Sequence, residues 1–137
     1  MGRKDIGLLI IRVGIGVMFV LHGIPKIAGG PDTWQGLAGA VIPGVEGVVA
    51  NALGLSAAIA EIAGGILLAL GIPKLYQVGM ILLIGVMAGA TLSKLTAGGF
   101  TFMTFAYNVG WPLEMMILFI GLLLIGPGRL VVGSRGS

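Results

Sequence analysis

Four apolar stretches, each long enough to cross a bilayer, leave this chain few ways to fold. A helix rising 1.5 Å per residue needs about 20 apolar residues to span the hydrocarbon core. Stretches of that kind run over about 6–24, 47–72, 75–93 and 110–126. Only 9% of the 137 residues are charged, against about a quarter in a soluble domain, too few to dress a water-facing surface. The expected fold is therefore all-α: an integral membrane four-helix bundle forming a single domain over 1–137.

Punctuation residues set the expected boundaries. Pro25 should stop the first span, Lys94 follows the third, and GPGR at Gly126 to Arg129 closes the fourth. The second and third spans are joined only by IPKL around Pro73, a tight antiparallel hairpin. The link IAGGPDTWQGLAGAVIPG can hold a short helix capped by Asp32, re-entrant or interfacial. The link SKLTAGGFTFMTFAYNVGW carries Phe100, Phe102, Phe105, Tyr107 and Trp111, which reads as one side of an interfacial aromatic belt. Four spans put both termini and the Pro73 turn on one side, with Arg3, Lys4, Lys74, Arg129 and Arg135 against Asp5. The other side has Lys26 and Lys94 against Asp32 and Glu46. Positive-inside bias places both termini in the cytoplasm. Arg3 and Lys4 ahead of an apolar run also resemble a signal sequence, read here as a retained anchor.

Small residues recur at four-residue spacing. Gly85, Gly89 and Ser93 form one ridge; Ala57, Gly65 and Ala69, with Glu61 between them, form another. In lipid such ridges let helix backbones approach. The absence of cysteine excludes disulfides, thiolate nucleophiles and cysteine-ligated iron–sulfur clusters. The formal charge of +3 is scattered over helix ends rather than gathered in a patch, which argues against nucleic acid as a partner. One histidine and a few carboxylates are thin for a metal, and haem would need His22 plus a methionine or a second chain. No phosphate loop, catalytic triad or dinucleotide fingerprint is present.

The informative residues are the ionisable ones inside the oil. A charge at mid-bilayer costs roughly 2.5–3.5 kcal/mol on insertion scales, so such groups face the bundle and find partners. They are Arg12, His22, Glu61 and Glu114, with Lys26 and Lys94 nearer the span ends. At 100° per residue Lys26 falls within about 40° of Arg12 and His22 about 80° to one side. Arg12 lies roughly 9 Å into the first span. Two pairings are expected: a buried ion pair between Arg12 and Glu61, and Glu114 with Lys26, His22 or Lys94. A polar pocket is expected from His22, Lys26, Tyr107, Trp111 and Glu114. There an imidazole could pass a proton or hydrogen-bond a quinone carbonyl. A purely structural reading, in which the pairs only fix helix register, stands beside it.

The residues resemble the DoxX family of small bacterial and archaeal membrane proteins. The resemblance rests on Arg12 in the first span; His22, Gly23 and Lys26 as HGxxK; AEIAGGILLALG at Ala60 to Gly71; Glu114; and GPGR. It departs where the third span of the pattern ends near a further His and a Pro–Asn–Gly turn, since Lys94 and AGGFTF stand there instead. The resemblance implies a four-helix protein of the bacterial or archaeal cytoplasmic membrane. Some members resemble subunits of a thiosulfate:quinone oxidoreductase, and others associate with redox or stress-defence enzymes. The expected function is a membrane subunit that anchors or supports a quinone-linked redox assembly. Its partners would be the bilayer and other membrane subunits or further copies of itself, and it would not be catalytic alone. A small-solute or lipid permeation unit and a structural module are the alternatives.

Overall fold

The computed structural model describes residues 2–97 and 101–133. Phe100 and Arg135, used above for the aromatic belt and the charge bias, lie outside them. Helix α1 spans Arg3–Ala28, α2 Gly30–Val41, α3 Gly47–Leu70 and α4 Pro73–Ala97. Then α5 (Phe102–Thr104), a π-helical stretch (Phe105–Val109) and α6 (Gly110–Ile125) follow end to end. Four helices have the length and apolarity to cross a membrane: Arg3–Ala28, Gly47–Leu70, Pro73–Ala97 and Phe102–Ile125.

Several boundaries differ from the sequence expectation. Pro25 lies inside α1, which continues to Ala28. A proline costs one intrahelical bond, and membrane helices tolerate it where neighbours re-satisfy the backbone. The Pro25 carbonyl still accepts from Gly29 N at 2.9 Å. Gly29, not Asp32, occupies the N-cap of α2, and Asp32 sits in its first turn. The fourth long helix starts at Phe102 rather than near 110, so Phe105 and Tyr107 are helical residues rather than loop residues. Pro112 explains the π stretch before α6. It has no N–H for the carbonyl one turn back, and a widened turn makes room for its ring. The Pro73 hairpin forms as expected: Gly71 ends α3 at φ +69° and Pro73 opens α4.

The long helices pack in an open arc, with α1 against α3, α3 against α4 and α4 against α6, while α2 lies across α3 and α4. Among the described residues the backbones of α1 and α6 do not meet. Phe19 and Phe119 bridge them, edge to face, with centroids 5.3 Å apart. The two described ends of the chain come together. Arg129 N donates to Asp5 Oδ1 at 3.1 Å, and Val132 N to the Leu70 carbonyl at 3.1 Å. That end is called the terminal end below, and the opposite one the loop end.

The apolar core lies toward the terminal end. Phe19, Leu68, Tyr76, Met80, Leu83, Met87, Phe119 and Leu122 form it, and Tyr76 satisfies its hydroxyl on the Leu122 carbonyl at 2.8 Å. Glycines set the helix spacing here. A Cβ on Gly65 would stand 2.6 Å from the Gly16 carbonyl oxygen, and one on Gly79 2.7 Å from Leu67 Cβ. The ridge through Gly65 and Ala69 thus packs on α1 as expected. The Gly85–Gly89 ridge does not: a Cβ on Gly85 would meet nothing within 4 Å, and one on Gly89 only a Val41 methyl at 3.9 Å.

Candidate functional site

The stagger of α1 on α3 decides which charges meet. Gly16 faces Gly65, and Gly23 faces Ala58 and Ile62. This places Arg12 beside Ala69 at the end of α3, and Glu61 roughly level with Val20. Helical side chains lean toward their own N-terminus. The two helices run antiparallel, so Glu61 leans toward the loop end and Lys26 leans back to meet it. Arg12 leans the other way. The ion pair is accordingly Lys26 Nζ with Glu61 Oε2, not the expected Arg12 with Glu61. Glu61 is 3% exposed, whereas the Lys26 side chain is about a third exposed. Trp34 of α2 donates its Nε1–H to the Lys26 carbonyl at 3.0 Å, tying α2 to the same point.

Arg12 is fully buried without a carboxylate partner among the described residues. Its Nη2 donates to the Leu130 carbonyl, while Nε and Nη1 make no hydrogen bond. Two features make this arrangement tolerable. The guanidinium sits at the C-terminal end of α3, where the helix dipole favours a cation. Gly71 also leaves room for it, since a Cβ there would overlap Nη1. Arg12 therefore fastens the segment after α6 onto α1 and α3, together with the Asp5 and Leu70 bonds. The sequence offered a signal for this in GPGR, whose glycines Gly126 and Gly128 take φ +82° and +77° and turn the chain back.

The expected pocket residues do not form one pocket. His22, Trp111 and Glu114 line one groove between α1 and α6, together with Met18, Phe19 and Met115, and Glu61 forms its floor. Its volume is about 280 Å³. The groove exists because α1 and α6 fail to close on each other. His22 and Glu114 are exposed at its rim and make no hydrogen bond or ion pair among the described residues. The expected pairing of Glu114 with Lys26, His22 or Lys94 does not form. Lys26 is committed to Glu61, and neither His22 nor Lys94 makes an ion pair there. Tyr107, 75% exposed, does not line the groove.

Lys26 instead reaches a second and larger, partly open cavity of about 520 Å³ between α2, α3 and α4 at the loop end. Glu61 and Trp111 line both spaces, so the buried ion pair stands at the wall between them. Sequence reasoning missed this cavity because Gly85 and Gly89 look like a helix contact. Among the described residues no cluster of three metal-ligating side chains occurs.

Apolar helices, the Lys26–Glu61 pair on α1 and α3, and α2 folded over them are all contained within residues 7–96, the range matched by the family description DoxX. The chain belongs to the DoxX family. No curated protein and no solved structure matches it. In this DoxX chain the matched range includes Arg12, His22, Lys26, Glu61 and Lys94, whereas Trp111, Glu114 and the GPGR turn lie beyond it. The larger cavity is thus built almost wholly from the matched segment, and the groove is completed by α6.

Proposed function

We propose that this DoxX-family protein is a non-catalytic membrane subunit of a quinone-linked redox assembly, and that the α1/α6 groove receives the quinone head. The supporting observation is the groove itself. It is an apolar slot whose rim carries His22, Trp111 and Glu114, with no hydrogen bond from His22 or Glu114 to any described residue. A quinone carbonyl takes a hydrogen bond from an imidazole or indole N–H, and a quinol hydroxyl donates to a carboxylate. Phe19 and Met115 supply the apolar walls that a quinone ring needs. Electrons would come from a partner subunit, because a chain without cysteine offers no thiolate ligands for a cluster. In this reading the protein sits in a bacterial or archaeal cytoplasmic membrane with both termini inside, as the basic terminal end suggests.

The test is photolabelling by an azido-quinone in native membranes. Labelled peptides should come from α1 and α6. His22→Ala combined with Glu114→Gln should reduce labelling by about ten-fold, the worth of a hydrogen bond to each partner. Labelling that is unchanged in the double variant rejects the reading.

A permeation unit is a second reading, favoured by Glu61 and Trp111 lining both the groove and the cavity. It requires flux of a small solute through proteoliposomes that Glu61→Gln abolishes.

A further inference from the structure

The larger cavity has features that the quinone groove does not. Its walls are apolar and small-residue rich, built from Leu37 and Val41 of α2, Leu53 and Ala57 of α3, and Gly85 and Gly89 of α4. At about 520 Å³ it lies within the range of roughly 300–1,000 Å³ that binds small molecules. Gly85 and Gly89 face this open space and touch no other helix closely. Here the small residues make room instead of a contact.

Its polar groups are Lys26, Glu61, Ser93 and Lys94. Glu61 is spent on Lys26, whereas Lys94 is exposed and has no ion pair among the described residues. The titratable lining groups therefore carry one surplus positive charge. An ammonium near the membrane surface attracts an anion, and an apolar cavity beside it suits a hydrocarbon tail. A neutral head would gain nothing from Lys94. A sugar or nucleotide would find almost no donors or acceptors along the walls. A two-chain phospholipid needs more space than one such cavity.

We infer that this cavity binds a single-chain amphiphile with an anionic head, the tail running between α2, α3 and α4 and the head held at Lys94. The site shares Glu61 and Trp111 with the groove at their common wall, and the inference does not depend on the quinone reading. The head is a carboxylate or a phosphate monoester.

Trp111 lines the cavity and serves as the reporter. The full chain, in phosphatidylcholine nanodiscs, is titrated with 9,10-dibromostearate, with the corresponding dibromostearoyl lysophosphatidate, and with dibromostearate methyl ester as the neutral control. Bromine quenches indole fluorescence on contact. Both anionic probes, or one of them, should quench saturably, and the tighter of the two identifies the head group. The methyl ester should quench only linearly, by partition into lipid. Trp111→Phe should remove the saturable component. Gly89→Leu, or Gly85→Leu should the first fold poorly, should abolish it by filling the cavity. Lys94→Gln should weaken the anionic probe by about ten-fold, the value of one charge-assisted hydrogen bond. Linear quenching by every probe overturns the inference, as does a methyl ester that binds as tightly as the acid. Saturable quenching unchanged in both leucine variants overturns it too. So does a change of oligomeric state in those variants, which would mean that a second copy fills the space.

Discussion

The terminal half and the loop half of this bundle are built from the same long helices, with α2 added at the loop end. Yet one is solid at its centre, with an open surface cleft of about 510 Å³ beside Arg12 and Leu130, and the other is hollow. Toward the terminal end, Gly16, Gly64, Gly65 and Gly79 let backbones touch, and large side chains such as Phe119 and Leu68 fill what remains. Toward the loop end Gly54 still meets the Trp34 backbone of α2, but Gly85 and Gly89 face open space and polar side chains line the gaps. Glycine in a membrane helix therefore has two opposite uses. It brings helices together where a partner backbone lies opposite, and it opens a chamber where none does.

The difference can be broken first at the solid end. Gly71→Ala places a Cβ on Arg12 Nη1 and forces a side chain into left-handed backbone. Those effects together cost about 2–5 kcal/mol. The expected outcome is a large fall in thermal midpoint, read by intrinsic fluorescence in detergent, with Arg12→Met restoring part of it.

The boundary between the halves is the Lys26–Glu61 pair. Glu61→Met leaves Lys26 unpaired at a partly open site and should cost about 1–3 kcal/mol, below the range for a wholly buried pair. The double variant Lys26→Met with Glu61→Met should recover most of that loss. Arg12→Met and Glu61→Met should instead add independently, since these residues do not touch. A double-mutant cycle on unfolding free energy checks both statements. Coupling between Arg12 and Glu61 would show that the stagger of α1 on α3 differs from the one described.

The smallest effect belongs to the strap beyond α6. Asp5→Asn weakens the acceptor for Arg129 N on an exposed carboxylate. It should leave the melting transition unchanged and raise the rate of proteolytic nicking near Arg129. An equal nicking rate would mean that Arg12 and Leu70 hold the strap without help.

Much of this was legible in the sequence, and the failures have definite causes. Apolar length and Pro73 announce the spans and the hairpin, because lipid leaves helices little choice. Register is harder to see. Arg12 and Glu61 look like partners by depth, but the lean of each side chain toward its helix N-terminus sends Arg12 away and brings Lys26 in. The aromatic stretch from Phe102 to Trp111 looks like a loop because Gly98 and Gly99 precede it and Pro112 interrupts it. A π turn absorbs the proline and keeps the helix going. His22, Trp111 and Glu114 do line one groove, near one another in depth. Tyr107 does not, because depth alone says nothing about which side of a helix faces inward.

The solid and hollow halves are compared most directly by the melting temperatures of three purified variants, Gly65→Ala, Gly85→Leu and Gly89→Leu. A single methyl at Gly65 should unfold the protein well below the wild-type midpoint, because the Gly16 carbonyl stands 2.6 Å from where it would go. A whole isobutyl group at Gly85 or Gly89 should leave the midpoint within a few degrees. Leucine variants that melt as early as Gly65→Ala would show that the loop end is packed as tightly as the terminal end, and would contradict the account.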